Sequence, residues 1–133
     1  MLLLKARETA MSYFRPILQR HGLTEQQWRA LRALHELGEL TAAGLASECA
    51  ILAPSMTRIM RKLEKDGYVQ IRRSRNDQRE LKLKVSASGK RLVERIGPEI
   101  EVAYAQIREQ MDPKHMNSLH RELGRFIAKV EHS

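Results

Sequence analysis

The apolar positions of this chain keep a helical period at both ends and drop to a period of two in the middle. Leu3, Ala6, Ala10, Phe14 and Ile17 recur at spacings of three and four, one stripe of an opening helix that His21-Gly22 closes. Pro16 lies inside the stripe and cannot donate to the Ser12 carbonyl, so a kink or early end is expected there. Thr24-Glu25-Gln26-Gln27 has the form of a capping box, with Leu23 placed to staple onto Trp28. A second helix then runs through Trp28, Leu31, Leu34 and Leu37 to Gly38, a left-handed C-terminal cap. Thr41 caps a short third helix carrying Leu45, Ala46 and Cys49. Pro54 suits the first turn of a fourth, which Ala53 caps poorly. Met56, Ile59, Met60 and Leu63 are its buried face, and Asp66-Gly67 ends it.

From Val69 the period becomes two. Val69 and Ile71 alternate with polar partners, as do Leu81, Leu83 and Val85 with Lys82 and Lys84, around a polar loop at residues 74–79. That pattern is a two-stranded ribbon. Ser86 then caps a long fifth helix striped by Leu92, Ile96, Ile100, Ala103, Ile107 and Met111, with a bend expected at Gly97-Pro98. Asp112-Pro113 opens a sixth, with Met116, Leu119, Leu123, Phe126 and Val130 on one side. The fold class is mainly α with a small β-ribbon. One domain accounts for the 133 residues, and no repeat or low-complexity linker interrupts it.

Charge narrows the partner. Lys and Arg number 24 against 16 Asp and Glu, a net +8. Residues 54–85 hold ten basic and four acidic side chains, so a quarter of the chain carries most of the surplus. A charge run is usually only a solvated face. Here the excess falls on one helix and the ribbon behind it, which points to a polyanion, nucleic acid first. The opening apolar run is too short for a secretory signal, and no run has the length of a membrane span, so a cytoplasmic protein without a membrane partner is expected. One cysteine excludes an internal disulfide framework and a multi-cysteine zinc site. His21, His35, His115, His120 and His132 have no metal-ligand spacing, and neither a glycine-rich phosphate loop nor a G-x-S-x-G elbow is present. Neither an enzyme nor a cofactor is implied.

Short helix, tight connection, second helix and β-ribbon is the order of a winged helix-turn-helix, whose second helix reads base edges in the major groove. Ser55, Thr57, Arg58 and Arg61 lie off the apolar stripe of the fourth helix. Arginine can grip guanine with two bonds, and the hydroxyls can reach a base or a phosphate. The weakly capped start near Pro54 leaves N–H groups for a phosphate. The candidate DNA-binding set is Pro54, Ser55, Thr57, Arg58, Arg61 and Lys62 on the helix, with Arg73, Arg75, Asp77 and Arg79 on the wing. The wing tip suits a minor groove and its flanking phosphates.

These residues resemble the MarR family of winged-helix transcription regulators over essentially the whole chain. The resemblance is strongest from Leu45-Ala46 through Lys62-Leu63-Glu64-Lys65-Asp66-Gly67-Tyr68-Val69, then at Asn76-Asp77-Gln78-Arg79 and from Ser86 to Gly89-Lys90. Asp77 and Arg79 match the family's D-x-x-D-x-R wing motif, while Ser74 stands where the motif has its first aspartate. Ala10-Met11-Ser12-Tyr13-Phe14-Arg15-Pro16-Ile17 and Leu23-Thr24-Glu25-Gln26-Gln27-Trp28-Arg29 resemble the members that regulate degradation of homoprotocatechuate. The resemblance implies a homodimer built from end helices at about 1–22 and 87–133, and a DNA-binding lobe at about 24–86. It implies an operator with inverted half-sites, usually under repression, released by a phenolic acid, and a family chain that begins a few residues before Met1.

An aromatic carboxylate needs an Arg fork or a His for its charge and an aromatic wall for its ring. Ser12 and Arg15 share a face of the first helix, and Trp28, Arg32 and His35 share a side of the second. With His21, the residues Ser12, Arg15, Trp28 and Arg32 form the candidate ligand set. The plainer reading makes Trp28 core and the arginines surface or intersubunit ion pairs, and it stands beside the first. Cys49 admits two readings, an oxidant-sensing thiolate or a core residue, and its place four after Leu45 favours the core. A basic winged helix without an effector is the third functional reading.

Overall fold

The computed structural model describes residues 1–130, so Glu131, His132 and Ser133 lie outside the described residues. Six helices and three short strands follow in the order α1 (Leu2–Arg20), α2 (Glu25–Leu37), β1 (Leu40–Thr41), α3 (Ala42–Cys49), α4 (Ala53–Lys65), β2 (Val69–Arg73), β3 (Leu81–Val85), α5 (Ala87–Met111) and α6 (Pro113–Val130). This is a winged helix-turn-helix with a long helix added at each end. Among the described residues no helix is long and apolar enough to cross a membrane.

Local chemistry sets most of the boundaries. The Thr24 hydroxyl accepts from the Gln27 amide while the Gln27 side chain accepts from the Thr24 amide, so both halves of the capping box are made. Thr41 and Ser86 cap α3 and α5 in the same way, accepting from the amides of Gly44 and Gly89 at 3.0 Å each. Asp112 caps α6 through the His115 amide at 2.9 Å. The N-cap of α4 is Leu52 rather than Ala53, and it too offers no side-chain oxygen. Gly38 ends α2 at φ 82 and ψ −160, a backbone region open to glycine but outside the left-handed helical well.

Three further expectations change. The α1 helix does not end at Pro16 but continues to Arg20. An interior proline costs about 3 kcal/mol, and burying Ile17 and Leu18 beyond it offsets that cost at about 1.5–3 kcal/mol each. The α5 helix is continuous through Gly97-Pro98, as expected for one long helix, with Ile96 and Ile100 buried on either side. Leu37, the last residue of α2, is exposed rather than part of the stripe. The ribbon has a third strand: β1 pairs antiparallel with β3, Leu40 opposite Leu83 and Thr41 opposite Lys82, giving the order β1-β3-β2. Two residues carry no period, so the sequence holds no signal for β1.

The core is built around α2, which packs on α1, α3, α4, α5 and β3. Ala30, Leu31 and Leu34 are fully enclosed there, with Leu45 of α3, Met56 and Leu63 of α4, and Leu83 of β3. The end helices behave differently. Leu2, Leu3 and Leu4 of α1 and Leu119, Leu123, Phe126, Ile127 and Val130 of α6 are all exposed, and α6 buries no residue against its own chain.

The first turn of α5 locks onto the base of the wing. Ser86 donates its amide to the Tyr68 carbonyl and its hydroxyl to the Gly67 carbonyl. Gly89 comes so close that an added Cβ would stand 2.1 Å from the Tyr68 oxygen and 2.7 Å from Val85 Cγ2. The Tyr68 carbonyl is backbone and cannot yield without shifting the chain that enters β2, so Gly89→Ala should destabilise the fold by about 1–3 kcal/mol or more. Urea unfolding would measure it; a midpoint equal to that of the native chain would refute this close approach.

Candidate nucleic-acid interface and the cleft behind it

The face of α4 opposite its buried stripe carries the expected set. Pro54, Thr57, Arg58, Arg61 and Lys62 are exposed and Ser55 half-exposed, while Met56, Ile59, Met60 and Leu63 are buried. Arg58 leans on the Ser55 hydroxyl at 3.3 Å, Arg61 on Glu64 at 3.5 Å and Lys62 on Asp66 at 3.2 Å. Exposed pairs of this length are worth about 0–1 kcal/mol, so a phosphate or base edge can displace them. Thr57 spends its hydroxyl proton on the Ala53 carbonyl, which leaves its oxygen as an acceptor.

The wing turns on Ser74, the one buried polar residue of the described core. Its amide donates to the Glu80 carbonyl and its hydroxyl oxygen accepts from the Asn76 amide at 3.2 Å. A side-chain oxygen accepting two residues on is the bond an aspartate makes in an Asx turn, so the serine fills that role at the tip. Asp77 accepts from the Arg79 amide at 2.9 Å, and Arg73 donates to the Gln78 carbonyl at 2.7 Å. Arg75 and Arg79 are exposed, the Arg79 side chain being 95% exposed with its Nε 3.6 Å from Asp77. At the base of the wing Arg72 grips Glu39 with two bonds, tying β2 to the segment after α2. The Arg72–Glu39 grip went unread in the sequence, because 33 residues separate its partners.

Behind this lobe a cleft of about 250 Å³ opens between α1, α2 and α5. Met11, Phe14, Trp28, Ile100 and Tyr104 make its apolar walls, and Arg7, Arg29, Arg32 and Glu25 its polar ones. Phe14 and Tyr104 meet with ring centroids 4.9 Å apart, closing one side. Arg7 binds Glu8 and Glu25, and Arg32 binds Glu36 on its own helix. Two buried atoms here take part in no hydrogen bond, Glu25 Oε2 and Arg29 Nε, although Arg15 Nη2 stands 3.9 Å from the Glu25 oxygen. One is an acceptor and the other a donor.

Of the candidate ligand residues, the structure brings Trp28 and Arg32 together on the cleft wall. Ser12, Arg15 and His21 stand outside the lining. The Ser12 hydroxyl donates to the Thr9 carbonyl, and Arg15 makes a two-bonded pair with Glu8, holding that carboxyl below the usual carboxylate range. His21 and Arg20 share Glu99 of α5, and Arg20 first, then His21, depresses the Glu99 carboxyl. Arg7, Glu25, Arg29 and Tyr104 are cleft residues that the spacing argument did not single out. A three-residue period seeded on Arg32 reaches Arg29, which was a usable signal; Tyr104 lies on another element and had none. His35 lines a shallower hollow beside the cleft with Trp28 and Arg32.

Cys49 is buried, and that burial pushes its thiol up, the reverse of what an oxidant-sensing thiolate needs. Among the described residues no three His, Cys, Asp or Glu side chains gather as for a metal.

A helix-turn-helix with a basic, uncapped second helix and a basic wing defines a winged-helix regulator of transcription. The chain belongs to the MarR family: that family's model matches residues 23–81, and whole-chain relatives extend the match over the end helices. It is 46% identical over 126 residues to the homoprotocatechuate degradative operon repressor of Escherichia coli, covering 95% of this chain and 85% of that one. The crystal structure of transcriptional regulator PA4135 superposes with a TM-score of 0.93 at 37% identity, covering 98% of this chain and 96% of that one. The structure of NadR in complex with 4-hydroxyphenylacetate does so with a TM-score of 0.82 at 43% identity, covering 97% and 91%. The chain is therefore a transcriptional regulator and not an enzyme.

The Glu99 latch gives a pH signature. A carboxylate whose value is depressed in the folded state contributes stability above its ordinary value, about 4.5, and loses it as pH falls through the depressed one. Glu99→Gln should therefore melt below the native chain at about pH 6, and the two melting temperatures should converge as the medium is acidified below the ordinary glutamate range. Curves that stay parallel down to acid pH would mean that the pair contributes nothing.

Proposed function

We propose that the protein is a cytoplasmic homodimeric repressor of an operon for aromatic-acid catabolism, released from its operator by a phenolic acid bound in the cleft between α1, α2 and α5. The observation that carries this is the lining of that cleft. A hydroxylated aryl acid has a flat ring, one carboxylate and one phenolic proton. The cleft has aromatic and aliphatic walls, three arginines, and a buried Glu25 carboxylate oxygen that accepts no hydrogen bond. The carboxylate suits the arginines with their two-bonded geometry. The phenol suits Glu25 as a donor. The similarity to a homoprotocatechuate repressor and to a regulator solved with 4-hydroxyphenylacetate supports the same class of ligand.

Dimerisation follows from the exposed leucines of α1 and the exposed apolar side of α6, which a second copy buries by a two-fold contact. Two copies present two α4 helices, so the operator is an inverted repeat. The DNA-binding residues are Pro54, Ser55, Thr57, Arg58, Arg61, Lys62, Arg73, Arg75, Asp77 and Arg79.

Two tests follow. In anisotropy titrations at several salt concentrations, Arg58→Ala should cost about 1–3 kcal/mol on the operator and relax preference at one base position. Arg79→Ala should weaken operator and random DNA alike and lower the salt slope by about one unit. If both variants bind like the native chain, DNA contacts another face. For the cleft, calorimetry should show 4-hydroxyphenylacetate binding about tenfold or more tightly than phenylacetate, since a hydrogen bond to a charged group is worth about 1.5–3 kcal/mol. Glu25→Gln should shrink that preference, and Trp28→Ala should abolish binding of both acids. Equal affinity of the native chain and Trp28→Ala would place the pocket elsewhere.

A further inference from the structure

Arg29 touches both halves of the molecule. On one side it lines the cleft, with its Nε buried and unpartnered. On the other, its Nη1 donates to the Cys49 carbonyl at 2.7 Å. Cys49 is the last residue of α3, and the turn that follows leads directly into α4. Ala50 in that turn is held at φ 53 and ψ 46, a left-handed backbone that an L-residue adopts at a cost. Leu52 then starts α4 with no side-chain cap. The Arg29 bond therefore braces, from the cleft side, the turn that sets where the recognition helix lies, and adds to the backbone bonds of Ala50 and Ile51 to the Ser47 and Ala46 carbonyls. The other two arginines of the cleft do not reach the lobe: Arg7 binds Glu8 and Glu25, and Arg32 binds Glu36.

We infer that Arg29 is the positioning residue that couples the cleft to the recognition helix, an anion in the cleft drawing its guanidinium off the Cys49 carbonyl. A carboxylate is a stronger acceptor for a guanidinium than a peptide oxygen, and its two oxygens match two N–H groups of the fork. Once the guanidinium turns toward the ligand, the Cys49 carbonyl loses its partner and the left-handed Ala50 loses its brace. The turn relaxes, and α4 leaves the spacing that fits the operator. This inference rests on the cleft being the effector site proposed above.

The experiment measures operator affinity with and without saturating 4-hydroxyphenylacetate for the native chain, Arg29→Ala and Arg29→Lys, with acid binding followed separately by calorimetry. In the native chain the acid should weaken operator binding about tenfold or more. In Arg29→Ala, at acid concentrations that calorimetry shows to be saturating, the change should fall below about threefold. Arg29→Lys keeps the cation but not the fork, so it should bind the acid and respond only in part. Hydrogen exchange supplies a readout that a merely structural role would not move. The amides of Ala50 and Ile51, bonded to the Ser47 and Ala46 carbonyls, should exchange faster in the native chain when acid is added. In Arg29→Ala they should already be fast and should not respond. Native coupling and native acid-dependent exchange in folded Arg29→Ala or Arg29→Lys would overturn the relay and leave the cleft intact. A native chain that binds the acid nowhere would overturn the cleft reading and the relay together.

Discussion

Helix α2 is thirteen residues long and has to satisfy three sets of neighbours with one rigid backbone. Ala30, Leu31 and Leu34 fill the centre of the core, Trp28, Arg29 and Arg32 wall the cleft, and the Arg29 fork reaches across to α3. A helix packed on this many sides at interior density cannot shift toward one partner without moving against the others. The capping box at Thr24 and Gln27 fixes where it begins, and glycine at φ 82 lets the chain leave it at Gly38. The cleft and the DNA-binding lobe are thus two faces of one element, and their geometry is linked before any ligand is considered.

The end helices answer a different constraint. A core of about two dozen side chains closes around α2, and the stripe of α6 is too far along the chain to join it. What remains exposed is apolar and lies on the elements packed beside the cleft, α1 and the α5–α6 pair. A two-fold partner covering that surface would also fix the distance between two α4 helices. The Glu99 latch to Arg20 and His21 ties the end of α1 to the middle of α5, two of the three helices that wall the cleft.

Period and capping were legible from the sequence wherever the partners are neighbours along the chain. The buried face of α4, the caps at Thr24, Thr41 and Ser86, and the alternation of β3 all follow from residues within one or two turns of each other. An early end at Pro16 did not come about because a local cost is outweighed by distant burial: Ile17 and Leu18 gain from packing that residue 16 cannot reveal. In the ligand set, helical spacing put Arg15 beside Ser12 correctly, but Glu8, one turn back and once more, claims its guanidinium. Nothing in the spacing says which of several arginines faces inward. Tyr104, Glu99 and the Cys49 carbonyl are each dozens of residues from the groups they serve or two elements away, and only the folded chain brings them near.

The magnitudes decide between a large rearrangement and a small one. Allosteric coupling between two binding sites is typically about 1–3 kcal/mol. Opening the core around α2 to send a signal would expose several enclosed leucines, at about 1.5–3 kcal/mol each, which is more than a small acid can supply. A hydrogen bond from a charged donor to a carbonyl is worth about 1.5–3 kcal/mol, which already spans the required range. One guanidinium changing acceptors is therefore sufficient, provided that the segment it releases sits in a conformation with little margin. Ala50 in the left-handed region is such a segment, and it stands three residues before the first turn of the helix that carries Arg58.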